Sequence, residues 1–194
     1  MRSRIMALVL AAVLLADALL ASGLLASPAA LADQKDPRLD GLFARLKVAS
    51  DLAAAQPIEA EIWGIWMQSG DDNVDNLMAI GVAGLNEEDY NQAYEAFSRV
   101  VKLAPNFAEG WNKRATTLYL MGRFVESVQD IRKTLALEPR HFGALSGLGM
   151  CEEQLNKDKE ALDAFQKALS LDPNMLGVKL SVDEIKKRLA NSSI

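Results

Sequence analysis

Val100-Val101-Lys102-Leu103-Ala104-Pro105, Thr134-Leu135-Ala136-Leu137-Glu138-Pro139 and Ala168-Leu169-Ser170-Leu171-Asp172-Pro173 are three endings of one pattern. The prolines stand 34 residues apart both times. With that register fixed, the rest aligns without a gap. Leu77, Trp111 and Leu145 form a large apolar column, and Gly81, Ala115 and Gly149 a small one. Ala93, Ser127 and Ala161 form a second small column, and Phe97, Ile131 and Phe165 a second large one. Chance could give one such column but not this set in register, so the chain holds three copies of one unit.

Each unit has the physics of a helical pair. Tyr90, Ala93, Tyr94, Phe97, Val100 and Val101 recur at helical spacing. The small columns let two helices approach, and the large ones fill the gap between them. The proline cannot continue a helix and turns its predecessor away from helical angles, so it should stop the second helix. Asn86, Gly122 and Asn156 are expected at the turn between the two helices, because these residue types tolerate it. One hairpin cannot bury its apolar face alone, so neighbours must stack.

A unit of this length, with small and large residues alternating in this order, resembles the tetratricopeptide repeat (TPR). The expected fold is an all-α TPR solenoid of helix–turn–helix repeats at 74–107, 108–141 and 142–175. Two departures stand out: the late first-helix aromatic is replaced by Gly84, Leu118 and Glu152, and Arg114 shares a column with Ile80 and Leu148. Upstream, 33–73 is expected to be a degenerate repeat that caps the stack, with helices over Leu39–Ala49 and Ala55–Gln68. Extending the register places Phe43, Leu46, Trp63 and Trp66 on repeat columns. Downstream, 176–194 is expected to be a capping helix and tail, its polar face (Asp183, Glu184, Lys186, Lys187, Arg188) turned to water.

Residues 1–32 have the layout of a secretory signal peptide. Arg2 and Arg4 precede an apolar run from Ile5 to Ala16, Pro28 breaks any helix, and Ala30-Leu31-Ala32 supplies small residues at a cut before Asp33. The run stops at Asp17, short of the roughly 20 residues that span a bilayer. An uncleaved inner-membrane anchor is the alternative. The expected location is exported, in the periplasm, with no membrane span in the mature form.

The inventory of reactive side chains is thin. The formal net charge is −5, and no Lys/Arg run marks a nucleic-acid face. Cys151 and His141 are the chain's single cysteine and histidine, so neither a disulfide nor a zinc cluster can be built within it. His141 is expected in an inter-repeat turn, packed on the next helix. Asp71, Asn73 and Asp75 are spaced like calcium ligands, but Asn76 stands where a glycine is needed and Val82 where a bidentate Glu is needed. They suit the negatively charged start of a helix instead. Trp63 and Trp66 fit a repeat core, with an exposed patch as the alternative. No cofactor, metal or catalytic role is expected.

In the family this pattern resembles, the first helix of each repeat lines a concave groove that holds a polypeptide segment. That resemblance places Met78, Val82 and Leu85 from the first full repeat in the groove. Asn112, Thr116 and Tyr119 come from the second, and Ser146, Met150 and Glu153 from the third. One TPR subclass grips C-terminal carboxylates with basic and amide residues; the matching positions here are Met78, Val82, Lys113, Gly143 and Gly147, of which one is basic. The expected function is a scaffold for a protein or peptide partner, or alternatively a non-catalytic accessory subunit of an envelope enzyme complex.

Overall fold

A computed structural model of the chain describes residues 33–191; the expected signal segment, 1–32, lies outside them. A short 3-10 turn at Asp33–Lys35 leads into α1 (Arg38–Lys47) and α2 (Leu52–Trp66). The stack follows: α3 (Asp72–Asn86), α4 (Tyr90–Leu103), α5 (Ala108–Leu120), α6 (Phe124–Leu137), α7 (Phe142–Gln154) and α8 (Asp158–Leu171), closed by α9 (Leu176–Asn191). The described residues are all-α, and no helix among them is long and apolar enough to cross a membrane.

The proline signal acts as expected. The second helices α4, α6 and α8 stop at Leu103, Leu137 and Leu171, two residues before each proline. The residues between, Ala104, Glu138 and Asp172, have ψ of 70°, 93° and 95°, as a following proline ring requires. The inter-helix turn differs in one copy. Gly122 and Asn156 take the left-handed conformation (φ 74° and 59°), but the third such residue is Glu88 (φ 60°), not Asn86. Asn86 is the last residue of α3, and it is position 88 that keeps register with 122 and 156.

Helix starts are fixed by side chains. Asp51, Asp71 and Asp89 each accept hydrogen bonds from backbone N–H groups in the first turns of α2, α3 and α4. Asp75 accepts from both the backbone and the hydroxyl of Ser69, bracing the turn before α3. The residues spaced like calcium ligands thus build a helix start.

The small and large columns meet face to face. A Cβ added at Gly81 would lie 2.5 Å from the Phe97 ring, and one at Gly149 2.5 Å from Phe165. Ala115 and Ile131 share one core cluster in the middle copy. The anomalous Arg114 is compensated one helix away. Its guanidinium forms a two-pronged pair with Asp130 at 2.6 and 2.7 Å, where the flanking copies pair Ile80 and Leu148 with the register-equivalent Ala96 and Ala164.

The N-terminal pair departs from expectation. A repeat cap would lay α2 along α3, but these helices touch only marginally. Instead the hairpin folds back across the inner face of the stack. Its own core (Leu39, Leu42, Phe43, Leu46, Ile58, Ile62, Ile65, Trp66) takes in Phe142, Leu171 and Met175 from the last repeat. Gln34 donates to Asn106 O at 2.6 Å, Asn174 to Ala49 O at 3.1 Å, and Arg140 to Asp40 at 2.6 Å. The reason lies in α2 itself. It is apolar almost all round, with Pro57 in its second turn, so it needs burial on more than one side. The concave wall, with Phe142 at its middle, supplies that.

At the other end α9 buries Val178, Val182 and Ile185 against Phe165 and Leu145. Asp183, Glu184, Lys186, Lys187 and Arg188 face solvent, Arg188 reaching back to Glu153 and Asp158.

Candidate functional site

The inner wall of the stack is formed by α5 and α7, with α2 lying over the N-terminal ends of both. Beside α2 a cleft of about 310 Å³ stays open. Thr116 and Tyr119 line it from α5, Ser146 and Met150 from α7, and Trp63 from α2. It continues past Tyr119 and Met150 to Glu153 and the start of α9, beside Gly177 and Val178. The lining is apolar for the larger part, and Glu153 at the far end pairs with Arg188 at 2.7 Å.

Six of the nine residues expected in the groove meet here: Asn112, Thr116, Tyr119, Ser146, Met150 and Glu153. Met78, Val82 and Leu85 do not. Met78 is 2% exposed in the core of the first repeat, and Val82 and Leu85 pack against that same core. The physical cause is that α2 does not stack on α3. Helix α3 is the first helix of the stack, and its exposed Ile80 marks the uncovered face.

Met150 is 40% exposed, a flexible thioether on the lip of the cleft. Tyr119 is half-buried where the two stretches of the cleft meet, its ring 5.4 Å from Phe124, and burial pushes its phenol above the ordinary value, with Cys151 and Glu153 adding to the effect. Cys151 is buried beneath it, donating to Ser127 Oγ at 3.2 Å, and desolvation pushes that thiol up too. A thiol so held is a core residue rather than a nucleophile.

Three residues on the floor form a unit that their sequence positions did not disclose. His141 is fully buried; its Nδ1 accepts from Ala144 N at 3.0 Å, capping α7. That fixes the tautomer: Nε2 carries the hydrogen and donates to Glu109 Oε2 at 2.8 Å. Asn112 donates to the same oxygen at 3.1 Å, and the Lys113 ammonium stands 3.2 Å from Oε1. Trp66 stacks on His141 with ring centroids 4.1 Å apart, and Trp63 meets the same ring edge-on. Gly143 is required there, since a Cβ would fall 2.7 Å from Trp63. The tryptophans are therefore core residues of the hairpin–stack interface, not of a first repeat. A contact so distant in sequence has no periodic signal.

Comparison with known proteins agrees with this architecture. Residues 74–107 and 143–175 match the family profile of the tetratricopeptide repeat. A TPR repeat-containing protein of Rhizobium etli is 34% identical over 155 residues, covering 80% of this chain and 76% of that protein. The small glutamine-rich tetratricopeptide repeat-containing protein 2 of Mycosarcoma maydis is 27% identical over 119 residues, but those span 61% of this chain and only 34% of the fungal protein. Among solved structures, the Sgt2 TPR domain from Aspergillus fumigatus superposes with a TM-score of 0.61 at 18% identity, over 63% of this chain and 83% of that one. The first TPR of Spaghetti (RPAP3), bound to the HSP90 peptide SRMEEVD, gives 0.60 at 21% identity, over 61% and 94%. The repeat register, the helix boundaries it sets and the relative sharing four-fifths of its length agree: the chain belongs to the tetratricopeptide-repeat family.

Proposed function

We propose that this protein is an exported scaffold that holds a segment of a partner polypeptide against the open half of its inner wall. The observation that carries the reading is the convergence of Thr116, Tyr119, Ser146 and Met150, from two repeats, on one apolar cleft of about 310 Å³. A cleft of this size accepts a few side chains, not a whole helix. The TPR of similar fold that holds an HSP90 peptide supports a polypeptide ligand. The chemistry of the ligand differs. Lys113 is the one basic residue at the carboxylate-gripping positions, and its ammonium is engaged by Glu109. An acidic tail therefore finds no free cation there, and the partner presents apolar side chains to Tyr119 and Met150. Export rests on the Arg2/Arg4, apolar-run and Ala30-Leu31-Ala32 layout, and is tested by N-terminal sequencing of the protein from cells, which should begin at Asp33.

The groove is tested with a photo-crosslinking residue at Met150 and, as comparison, at exposed Lys133 on α6. A specific partner should crosslink from position 150 and not from 133. Tyr119→Ala, with helicity retained, should weaken its capture by about 2 kcal/mol, roughly 30-fold. Equal capture from both positions, or normal binding by Tyr119→Ala, refutes the groove.

A further inference from the structure

The part of the inner wall at the N-terminal ends of α5 and α7 is already occupied, by part of the same chain. Helix α2 lays Trp66 flat on His141 and Trp63 edge-on beside it, with the Lys113 ammonium 5.5 Å from the centre of the Trp63 ring. Phe142 completes an aromatic cluster with Phe43 and Trp66. The tether is short: Met67 to Asp71 join α2 to α3, with Gly70 in the left-handed conformation (φ 77°).

This interface holds buried polar groups that the hairpin leaves without partners. Among the described residues, five buried side-chain polar atoms lack a hydrogen bond, and two of them, Trp66 Nε1 and Asp172 Oδ2, lie at this interface. In addition α2 brings the Glu59 carboxyl beside that of Asp172; burial first and then the Asp172 charge penalise its ionised form there. Each orphaned group penalises the closed arrangement and is relieved when α2 lifts and water enters.

We propose that the wall around Glu109, Lys113, His141 and Phe142 is a receptor site for an amphipathic helix bearing two aromatic residues three positions apart, and that α2 is its displaceable, built-in occupant. The site deepens the groove reading: a partner helix of that kind exchanges with α2 and joins the open cleft to a longer channel. The floor holds its shape without α2, because the His141–Glu109–Asn112 hydrogen bonds and the cap on Ala144 are all internal to the stack.

The test uses the chain's single histidine and single cysteine as reporters. His141 lies under α2, and Cys151 inside the stack. In the full chain, modification of His141 by diethyl pyrocarbonate and of Cys151 by a thiol reagent is followed by peptide mass spectrometry. Each rate is divided into its rate in denaturant to give a protection factor. If α2 opens alone, His141 is protected at least about tenfold less than Cys151. Trp66→Ala should lower His141 protection further and leave Cys151 unchanged. Asn174→Ala, which removes only the hydrogen bond to Ala49 O, should act in the same direction more weakly and guards against misfolding of the tryptophan variant. A synthetic peptide of residues 51–68, added to the opened variant, should restore His141 protection. Equal protection of the two reporters in the parent overturns the proposal, as does an exposed His141 that the peptide does not cover. No partner enters these measurements, so their failure is distinct from failure of the groove reading, which rests on Tyr119.

Discussion

The substitution Gly149→Ala tests the packing rule that builds the stack. A Cβ at 149 would stand 2.5 Å from Cδ1 and Cε1 of Phe165, whereas ordinary contact begins near 3.4 Å, so the ring must retreat by about 1 Å. Phe165 is 1% exposed, and Ala161 and Ala168 are fully buried on the same helix face, which leaves it little room. Overpacking of this kind costs about 1–3 kcal/mol, while replacing a mid-helix glycine by alanine returns about 0.5–1 kcal/mol. The net loss is roughly 1–2 kcal/mol, or about 2–8 °C in the thermal midpoint for a domain of this size. Gly147→Ala, two residues earlier on the same helix, is the control. Its Cβ would meet Ile131 at 3.6 Å, an ordinary contact, so only the helix gain remains and the midpoint should rise by about 1–4 °C. Circular-dichroism melts of the two variants, with Phe165→Leu added to Gly149→Ala as a rescue, settle the matter. Two alanines that shift the midpoint equally, or no recovery with Phe165→Leu, would refute the claim that the small–large column sets the spacing of α7 and α8.

Glu88→Gly should stabilise the chain by about 1 kcal/mol, read as a higher urea midpoint, because it removes a left-handed residue with a Cβ (φ 60°). Asp130→Ala should cost about 3–5 kcal/mol by stranding the Arg114 guanidinium, while Arg114→Leu with Asp130→Ala restores the pattern of the flanking repeats and melts at or above the parent. Glu59→Gln should change the pH dependence of stability. Desolvation first, and then Asp172, raises the Glu59 carboxyl above its ordinary 4.5, so its contribution is fully present below that value and lost as pH rises through the raised one. The variant should therefore match the parent near pH 4 and exceed it at neutral pH; a constant difference across that range would contradict the reasoning.

How much of this was legible in the sequence follows the range of each interaction. The stack was legible because its contacts repeat: the proline ends and the Gly81–Phe97 and Gly149–Phe165 pairs follow from one period, and the α9 cap from its polar face. Asn86 was misassigned because residue preference for a turn outweighed register; Glu88 holds the position despite an unfavourable side chain. Met78 and its neighbours were misplaced because column analogy assumes a repeat in front of α3. The open cleft was legible through Asn112, Thr116, Tyr119, Ser146, Met150 and Glu153, which lie inside full repeats. The His141–Glu109–Trp66 unit was not. It joins residues from three elements, and a single histidine in a turn looks like any other packed turn residue.

The apolarity of α2 links these outcomes. A terminal cap of a solenoid needs one polar face, as α9 has. Helix α2 carries Ile58, Ile62, Ile65 and Trp66 towards its hairpin core and Trp63 on another side, so as an end cap it would leave an indole in water. Folding inward removes that penalty but sets Trp66 Nε1 and Asp172 Oδ2 in places without hydrogen-bond partners. The same choice leaves Ile80 on the uncovered side of α3 exposed. The hairpin thus gives up ideal packing at the end of the stack for occupancy of its wall. An end cap has no reason to carry aromatic residues on a side facing away from the stack, whereas an occupant of the wall needs them there. Trp63 is accounted for by the second role and unexplained by the first.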